Sequence, residues 1–308
     1  MRQNIRLFLP FALLLISSAA YSQNGQAVPE GAKVETVQFK SKMVGATLPY
    51  HVVLPAGYRS PDSRKARYPV VYLLHGFDGH SSSWLLEKSL TDWATRHRII
   101  IVTPEGNNGW YTDSATVATD KYESYIVREL IPEIQRRYRT IAARRGRSVI
   151  GFSMGGYGAL KFGLKHPGRF SFAASLAGPM TIATWSQIML KNMGALGRSI
   201  MDTFGPVGSE TRSANDLFTL VRELSPAGAV NLPYLYLACG DDDPVLDGNR
   251  AMAHLLLSRR VRHEYHELPG GHDLSLYDEQ LREVMEIAAQ RMLPGNRDAS
   301  PTGAKSRE

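Results

Sequence analysis

Residues 147–165 read as a strand that passes directly into a helix, with Gly151-Phe152-Ser153-Met154-Gly155 at the junction and Gly156 after it. Arg147-Ser-Val-Ile-Gly-Phe152 has the apolar character of a buried strand, and the helical pattern from Gly155 to Lys165 stops at His166-Pro167-Gly168. A chain that turns from strand to helix without a loop must bend sharply. Small residues on both sides of the bend let the two backbones close on each other. The residue at the tip is then displayed at the carboxyl end of a strand, and here that residue is Ser153. The five-residue pattern alone arises often by chance, so its position at the junction carries the reading.

Around this junction the chain alternates strand and helix, the signature of a parallel sheet with helices on both faces. Val34 to Lys40 and Leu48 to Leu54 read as half-buried strands forming an antiparallel hairpin at one edge. Pro69 to Leu74, Ile99 to Val102, Ser148 to Phe152, Phe170 to Leu176 and Tyr234 to Ala238 are apolar runs, as strands covered on both faces require. Arg262 to Leu268 is the last strand. Helical patterns run over Ser83 to His97 and Asp120 to Tyr138, the second with Asp120 and Glu123 placed as a capping box and Pro132 as a kink. Two more run over Asp247 to Ser258 and Tyr277 to Met292. Pro179 to Ala229 breaks the rhythm and reads as an insertion that shapes a site.

The ends read differently. Arg2 and Arg6, the apolar run Leu7 to Ile16, and Ala20 and Ser22 before Gln23 have the anatomy of a cleavable bacterial export signal. The apolar run is shorter than the ~20 residues a spanning helix needs. The expectation is a signal at 1–22, one catalytic domain at 23–294, a disordered polar tail at 295–308, and a periplasmic or secreted protein. Two of the seven net positive charges lie in that leader. The densest basic stretch is Arg136, Arg137, Arg139, Arg144, Arg145 and Arg147. It follows a helical segment and precedes a strand, where cations complement the helix C-terminal dipole, so it reads as solvated charge at a helix end and not as a nucleic-acid surface. The single cysteine, Cys239, excludes an intramolecular disulfide framework and a cysteine-based zinc ribbon.

A serine hydroxyl attacks a carbonyl only when a base takes its proton and a third group orients that base. Five histidines follow Ser153: His166, His254, His263, His266 and His272. His166 stands at a helix end, His254 within a helix, and His263 and His266 inside the last strand. His272 alone sits in a loop, Pro269-Gly-Gly-His-Asp273, just past a strand's carboxyl end, where sites of open α/β sheets gather. The acid belongs after the preceding strand, at Asp241-Asp242-Asp243, and the residues leave open which of the three it is. That run lacks the alternation of a calcium loop. An oxyanion needs two backbone N–H donors. Met154 follows the nucleophile, and Phe77 follows His75-Gly76 after an early strand. His75 reads as a ring packed beneath its loop. Trp110 and Tyr111, on the rim after a buried strand, are candidate substrate contacts or core edge in equal measure. Trp84 is a third, with the core favoured.

Four pieces in order resemble the Putative esterase family of α/β-hydrolases, which includes feruloyl esterases, S-formylglutathione hydrolases, enterochelin esterases and antigen 85 mycolyltransferases. They are Leu73-Leu-His-Gly76 with Trp84 nearby, Gly151-Phe-Ser-Met-Gly-Gly156, Cys239-Gly-Asp-Asp-Asp243 and Pro269-Gly-Gly-His-Asp273. The resemblance spans about residues 34–292 and implies the α/β-hydrolase fold, a mostly parallel central sheet with helices on both faces. It selects Asp243 by the family's Gly-x-x-Asp pattern, and it implies a serine esterase without metal or organic cofactor. The export signal departs from the cytosolic S-formylglutathione hydrolases, and Phe77-Asp-Gly-His80 departs from the mycolyltransferase loop. The expected substrate is a small-molecule or carbohydrate ester, such as a feruloyl or acetyl ester, with neither nucleic acid nor stable membrane insertion. Acyl transfer to a sugar or lipid alcohol is the nearest alternative, since both reactions share an acyl-enzyme. A non-catalytic binding module on the same scaffold is the other, and it predicts a missing triad member.

Overall fold

The computed structural model describes residues 31–87 and 89–292. The expected signal at 1–22 and tail at 295–308 lie outside the described residues. All eight expected strands are present, their ends shifted by at most two residues. They are β1 (Lys33–Lys40), β2 (Thr47–Leu54), β3 (Val70–Leu74), β4 (Ile100–Pro104), β5 (Arg147–Phe152), β6 (Phe172–Leu176), β7 (Tyr234–Gly240) and β8 (His263–Leu268). They form one sheet in the order β1-β2-β4-β3-β5-β6-β7-β8. β2 pairs antiparallel with β1 and β4, and every other pairing is parallel. The mostly parallel sheet therefore ends in the expected antiparallel hairpin.

The two-residue period of a strand explains why the inner strands are largely apolar on both faces. Along β3, Val70, Tyr72 and Leu74 enter one hydrophobic core, and Val71 and Leu73 enter the other. Each such side chain, buried from water, contributes roughly 1.5–3 kcal/mol. Helices cover both faces: α1 (Leu90–His97), α2 (Tyr122–Ser124), α3 (Ile131–Arg137), α4 (Met154–Lys165), α5 (Gln187–Lys191), α6 (Gly194–Phe204), α7 (Glu210–Ala214), α8 (Leu217–Arg222), α9 (Pro226–Asn231), α10 (Leu246–Ser258) and α11 (Asp278–Met292). Among the described residues, none is long and apolar enough to cross a membrane.

Two expected helices differ in detail. Ser83 to His97 is not continuous: Ser83–Leu86 is a 3₁₀ turn, and α1 starts at Leu90. Trp84 turns into the core while Leu86 stays 84% exposed, so no single helical face is kept. In the second, Tyr125–Leu130 forms a wide π-helical turn between α2 and α3. Pro132 has no N–H to return to the preceding turn, and the chain widens just before it. The capping-box expectation for Asp120 and Glu123 is also corrected. Lys121 stands at the cap without a side-chain bond. Asp113 holds the first turn instead, its carboxylate accepting from Ser124 N (2.9 Å) and Ser124 Oγ (2.6 Å). A carboxylate distant in sequence is not visible to a local pattern.

The 179–229 insertion folds into a 3₁₀ turn at Ile182–Thr184 followed by α5 to α9. Four of these five helices begin at Ser186, Ser209, Asp216 and Ser225, whose side chains accept from the first-turn N–H groups. The insertion is thus locally capped rather than irregular.

Candidate active site

The bend after β5 puts Ser153 in a conformation that few L-residues adopt, φ 53° and ψ −119°. Two glycines make the bend possible. A methyl group on Gly155 would sit 2.1 Å from Leu74 O, and one on Gly151 would sit 2.2 Å from the Gly155 carbonyl. The N-terminus of α4 can therefore lie directly against β3 and β5. Ser153 N donates to Leu176 O at 2.8 Å, which ties the bend to β6.

β7 and β8 deliver the other two groups. Of the three consecutive aspartates, Asp241 accepts from Gly270 N at 2.9 Å and holds the histidine loop, and Asp242 is exposed. Asp243 alone turns inward, with its side chain fully buried. One of its oxygens accepts from Val245 N (2.9 Å), and the other contacts His272 Nδ1 (2.7 Å). His272 Nε2 lies 2.8 Å from Ser153 Oγ. With Nδ1–H donating to Asp243, Nε2 is left as the acceptor for the serine hydroxyl. The Phe152 ring packs 5.1 Å from the imidazole and restrains its swing. Ser153, Asp243 and His272 are thus brought into one hydrogen-bonded line from the ends of three strands. The other four histidines after Ser153 take no part. His166 bonds Glu123, His263 its own strand's approach, His266 stacks on Tyr236, and His254 is exposed.

Phe77 N and Met154 N, the two expected oxyanion donors, have no protein acceptor among the described residues. The Phe77 loop closes on the bend, since a methyl group on Gly76 would stand 3.4 Å from Ser153 Cβ. His75 is buried beneath this loop as expected. Its Nδ1 bonds Gly76 O (2.8 Å), and its Nε2 accepts from Gly106 N (2.9 Å). Gly76 O and Phe77 N belong to one peptide unit, so the ring fixes the plane from which Phe77 N–H projects.

Glu105 is a residue that the sequence reading missed. Its carboxylate accepts from Ser81 N (3.0 Å), Gly106 N (3.1 Å) and Asn107 N (2.9 Å), joining the oxyanion loop to the loop after β4. Burial alone would raise its pKa, but the His75 ring 3.2 Å away and the Ser81 and Asn107 amides hold it down to about 2. Its place directly after the end of β4, on the same rim as His75, was the available signal. A depressed carboxylate stabilises the fold above its unfolded pKa and loses that contribution as pH falls toward its folded value. Glu105→Gln is therefore expected to cost up to about 3 kcal/mol at pH 7, with the gap to wild type closing between pH 4.5 and 2. Urea unfolding at a series of pH values checks this, and a gap that is constant across that range would refute the assignment.

A cavity of about 500 Å³ opens at Ser153. Its walls include Phe77 and Trp110 from the rim loops and Ile182, Trp185, Met189, Met193 and Leu196 from the insertion. Trp110 lines it with 2% exposure, its Nε1 donating to Ser199 Oγ at 2.9 Å. The other two aromatic candidates stand elsewhere. Tyr111 is fully buried, donating from its hydroxyl to His75 O, and Trp84 lies in the core on the other face of the sheet. Neither has surface for a substrate: the substrate-contact candidacy of both is corrected, Trp84 taking its favoured core reading and Tyr111 the core-edge one. Both are large rings outside the regular strands and α-helices, and only packing distinguishes a rim from a core edge.

Among the described residues, one group has donor atoms spaced for a metal: Glu264, His266 and Glu283, on β8 and α11. Each carboxylate already accepts from a tyrosine, Tyr234 OH at 2.6 Å and Tyr236 OH at 3.0 Å. This group stands apart from Ser153 and adds nothing to its chemistry.

The family profile described as Putative esterase matches residues 41–286. An esterase of Mycobacterium tuberculosis is 31% identical over 255 residues, covering 76% of this chain and 54% of its own length. The chain therefore spans about half the length of that curated relative. An acetyl esterase of Caldicellulosiruptor saccharolyticus is 28% identical over 259 residues, covering 81% of this chain and 96% of its own. Among solved structures, a ferulic acid esterase superposes with a TM-score of 0.70 at 26% identity, covering 85% of this chain and 99% of its own.

Proposed function

The chain belongs to the Putative esterase family, and on that premise we propose that it is an exported serine esterase that cleaves carboxylic esters through an acyl-enzyme. One observation carries the reading: Ser153 Oγ, His272 Nε2, His272 Nδ1 and Asp243 Oδ2 are linked by contacts of 2.8 and 2.7 Å at the mouth of an apolar cavity. His272 takes the proton from Ser153 as the hydroxyl attacks the ester carbonyl. Asp243 holds the ring and stabilises its charged form. The developing oxyanion is received by the N–H groups of Phe77 and Met154, each worth roughly 3–4 kcal/mol of transition-state stabilisation. His272 then returns the proton to the leaving alcohol. Water then attacks the acyl carbon as His272 takes its proton, and His272 passes that proton to Ser153 Oγ as the acid leaves. The complete triad speaks against a non-catalytic binding module.

The cavity narrows the ester. Around Ser153 and His272 its lining is apolar, and the indole N–H groups of Trp110 and Trp185 are spent on Ser199 and Thr181. An acyl group with buried methylenes gains there, while a phenolic hydroxyl finds no open side-chain donor. We expect kcat/KM on nitrophenyl esters to rise roughly tenfold from acetate to butyrate, since two buried methylenes contribute about 0.8 kcal/mol each. Methyl cinnamate is expected to match or exceed methyl ferulate. A flat chain-length series would refute the cavity as the acyl pocket.

The test of the whole reading is a fluorophosphonate followed by intact mass. One adduct on Ser153, with turnover of the nitrophenyl esters, is expected, and no adduct would overturn it. Product analysis with a competing alcohol reads out acyl transfer. Export is tested by the mass of the protein recovered outside the cytoplasm, expected to begin at Gln23.

A further inference from the structure

Most of the basic run 136–147 is compensated in the fold. Arg136 and Arg137 pair with Glu133, and the Arg139 guanidinium lies 4.0 Å over the Tyr58 ring. Arg147 is buried rather than solvated, donating to Ala142 O and Arg169 O at 2.8 Å. Arg144 and Arg145 are different. With Arg262 and Arg291 they line a cleft of about 400 Å³ in which Glu264 is the one carboxylate among the described residues. These four guanidinium groups come from three distant parts of the chain: the turn before β5, the approach to β8 and the end of α11.

The cleft is pre-organised. Arg144 is pinned by donating to Phe170 O (2.8 Å) and Asn231 O (3.0 Å). Arg291 is stacked 3.8 Å over the Tyr234 ring, and the Tyr234 hydroxyl is held by Glu264 at 2.6 Å. Arg145 has no anionic partner among the described residues. Burial, and then the charge of Arg262, lower the pKa of Arg144, so these cations stand close enough to repel. Even without counting Arg262, Arg144, Arg145 and Arg291 face a single carboxylate among the described residues and leave a positive field, and planar guanidinium donors suit a phosphate's oxygens.

We propose that this cleft binds a phosphate-bearing ligand with two or more negative charges. It opens at the amino ends of β5 to β8, whereas Ser153, Asp243 and His272 stand at the carboxyl ends. A six-residue strand separates the two ends by roughly 20 Å, so a bound phosphate leaves the ester cavity open. The inference is independent of the esterase reading.

Calorimetry of the full chain with inorganic pyrophosphate at low salt tests it. Saturable one-site binding is expected, weakened at least tenfold in an Arg145→Ser/Arg291→Ser variant that melts at the wild-type temperature without ligand. Glu264→Gln removes the opposing charge and is expected to tighten binding severalfold, which keeps the test decisive where the double variant fails to fold. No saturable binding, or binding that neither change alters, would overturn the proposal. Co-sedimentation with phosphatidylglycerol and phosphatidylcholine vesicles identifies the source of the phosphate. Retention on the first alone, reversed by pyrophosphate, marks a lipid headgroup, whereas pyrophosphate binding without retention marks a soluble ligand.

Discussion

Ser153→Ala is expected to lower kcat on a nitrophenyl ester by at least about 10⁴-fold, leaving the melting temperature within a few degrees of wild type. The hydroxyl is the only group that forms the bond to the acyl carbon, so nothing else at the bend replaces it. Asp243→Asn is expected to fall in the same range, for a different reason. The side chain is fully buried and accepts from Val245 N at 2.9 Å through one oxygen, so an amide can keep that bond only by presenting its NH₂ to His272 Nδ1. The ring must then move its proton to Nε2, where it points at Ser153 and no longer accepts. Loss of the working tautomer costs about 10⁴-fold in a comparable triad. Stopped-flow or single-turnover kinetics with purified variants check both. An Asp243→Asn enzyme within tenfold of wild type would show that another group orients His272.

The second large effect concerns stability. Lys161 is fully buried in α4, the helix that follows the bend, and pairs with Glu123 at 2.9 Å. Glu123 also meets Lys165 at 3.0 Å and His166 at 2.9 Å. Lys161 further donates to Tyr111 O (2.6 Å) and Thr112 Oγ1 (2.7 Å), and so fastens the loop that carries Trp110. That loop needs fastening, because Trp110 and Tyr111 both have positive φ, 52° and 51°. Burial lowers the Lys161 pKa to about 8 even with Glu123 present. Glu123→Leu leaves the ammonium without its counter-charge and is expected to cost about 3–5 kcal/mol. At the size of this domain, that is a fall of roughly ten degrees in Tm. The deficit is expected to shrink as pH rises. Folded Lys161 then loses its proton first, while the unfolded chain still binds it up to its ordinary value. Adding Lys161→Met to Glu123→Leu is expected to recover much of the loss. A single variant that melts like wild type would mean that Lys161 reaches water or is already neutral.

Glu123 also shows where sequence reading loses hold. From its spacing to Asp120 it resembles a capping residue, and that spacing is real. Its actual partners lie about forty positions later, on a helix that packs beside it only after the sheet has formed. Glu105 is a similar case, with partners at Ser81 and His75 on a neighbouring loop. Tyr111 and Trp110 are adjacent and chemically alike, yet one is sealed against His75 and the other lines the cavity. Arg144, Arg145 and Arg147 sit within one short basic run, yet one is buried on carbonyls and two face a shared cleft.

What the sequence determined by itself was whatever depends on short-range chemistry. Five apolar runs of strand length, separated by helical patterns and flanked by half-buried strands, specify a mostly parallel sheet, because side chains alternate faces every residue and both faces of the inner strands need covering. Gly151 and Gly155 around Ser153 specify the bend, because only residues without a Cβ allow the helix to lie on the strands. A histidine and an acid that follow successive strand ends must then rise at the same rim as the serine. The choice of Asp243 needed the family resemblance at that level, and the tertiary structure supplies its physical ground, as it is the one aspartate of three whose side chain is buried against His272. Only the folded chain decided the cavity and the charge compensation. The cavity is closed by Trp185, Met189, Met193 and Leu196 from an insertion whose helices have no meaning until they meet Phe77 and Trp110. Burial and Coulomb interaction depend on distance in space, and for these residues distance along the chain is no guide to it.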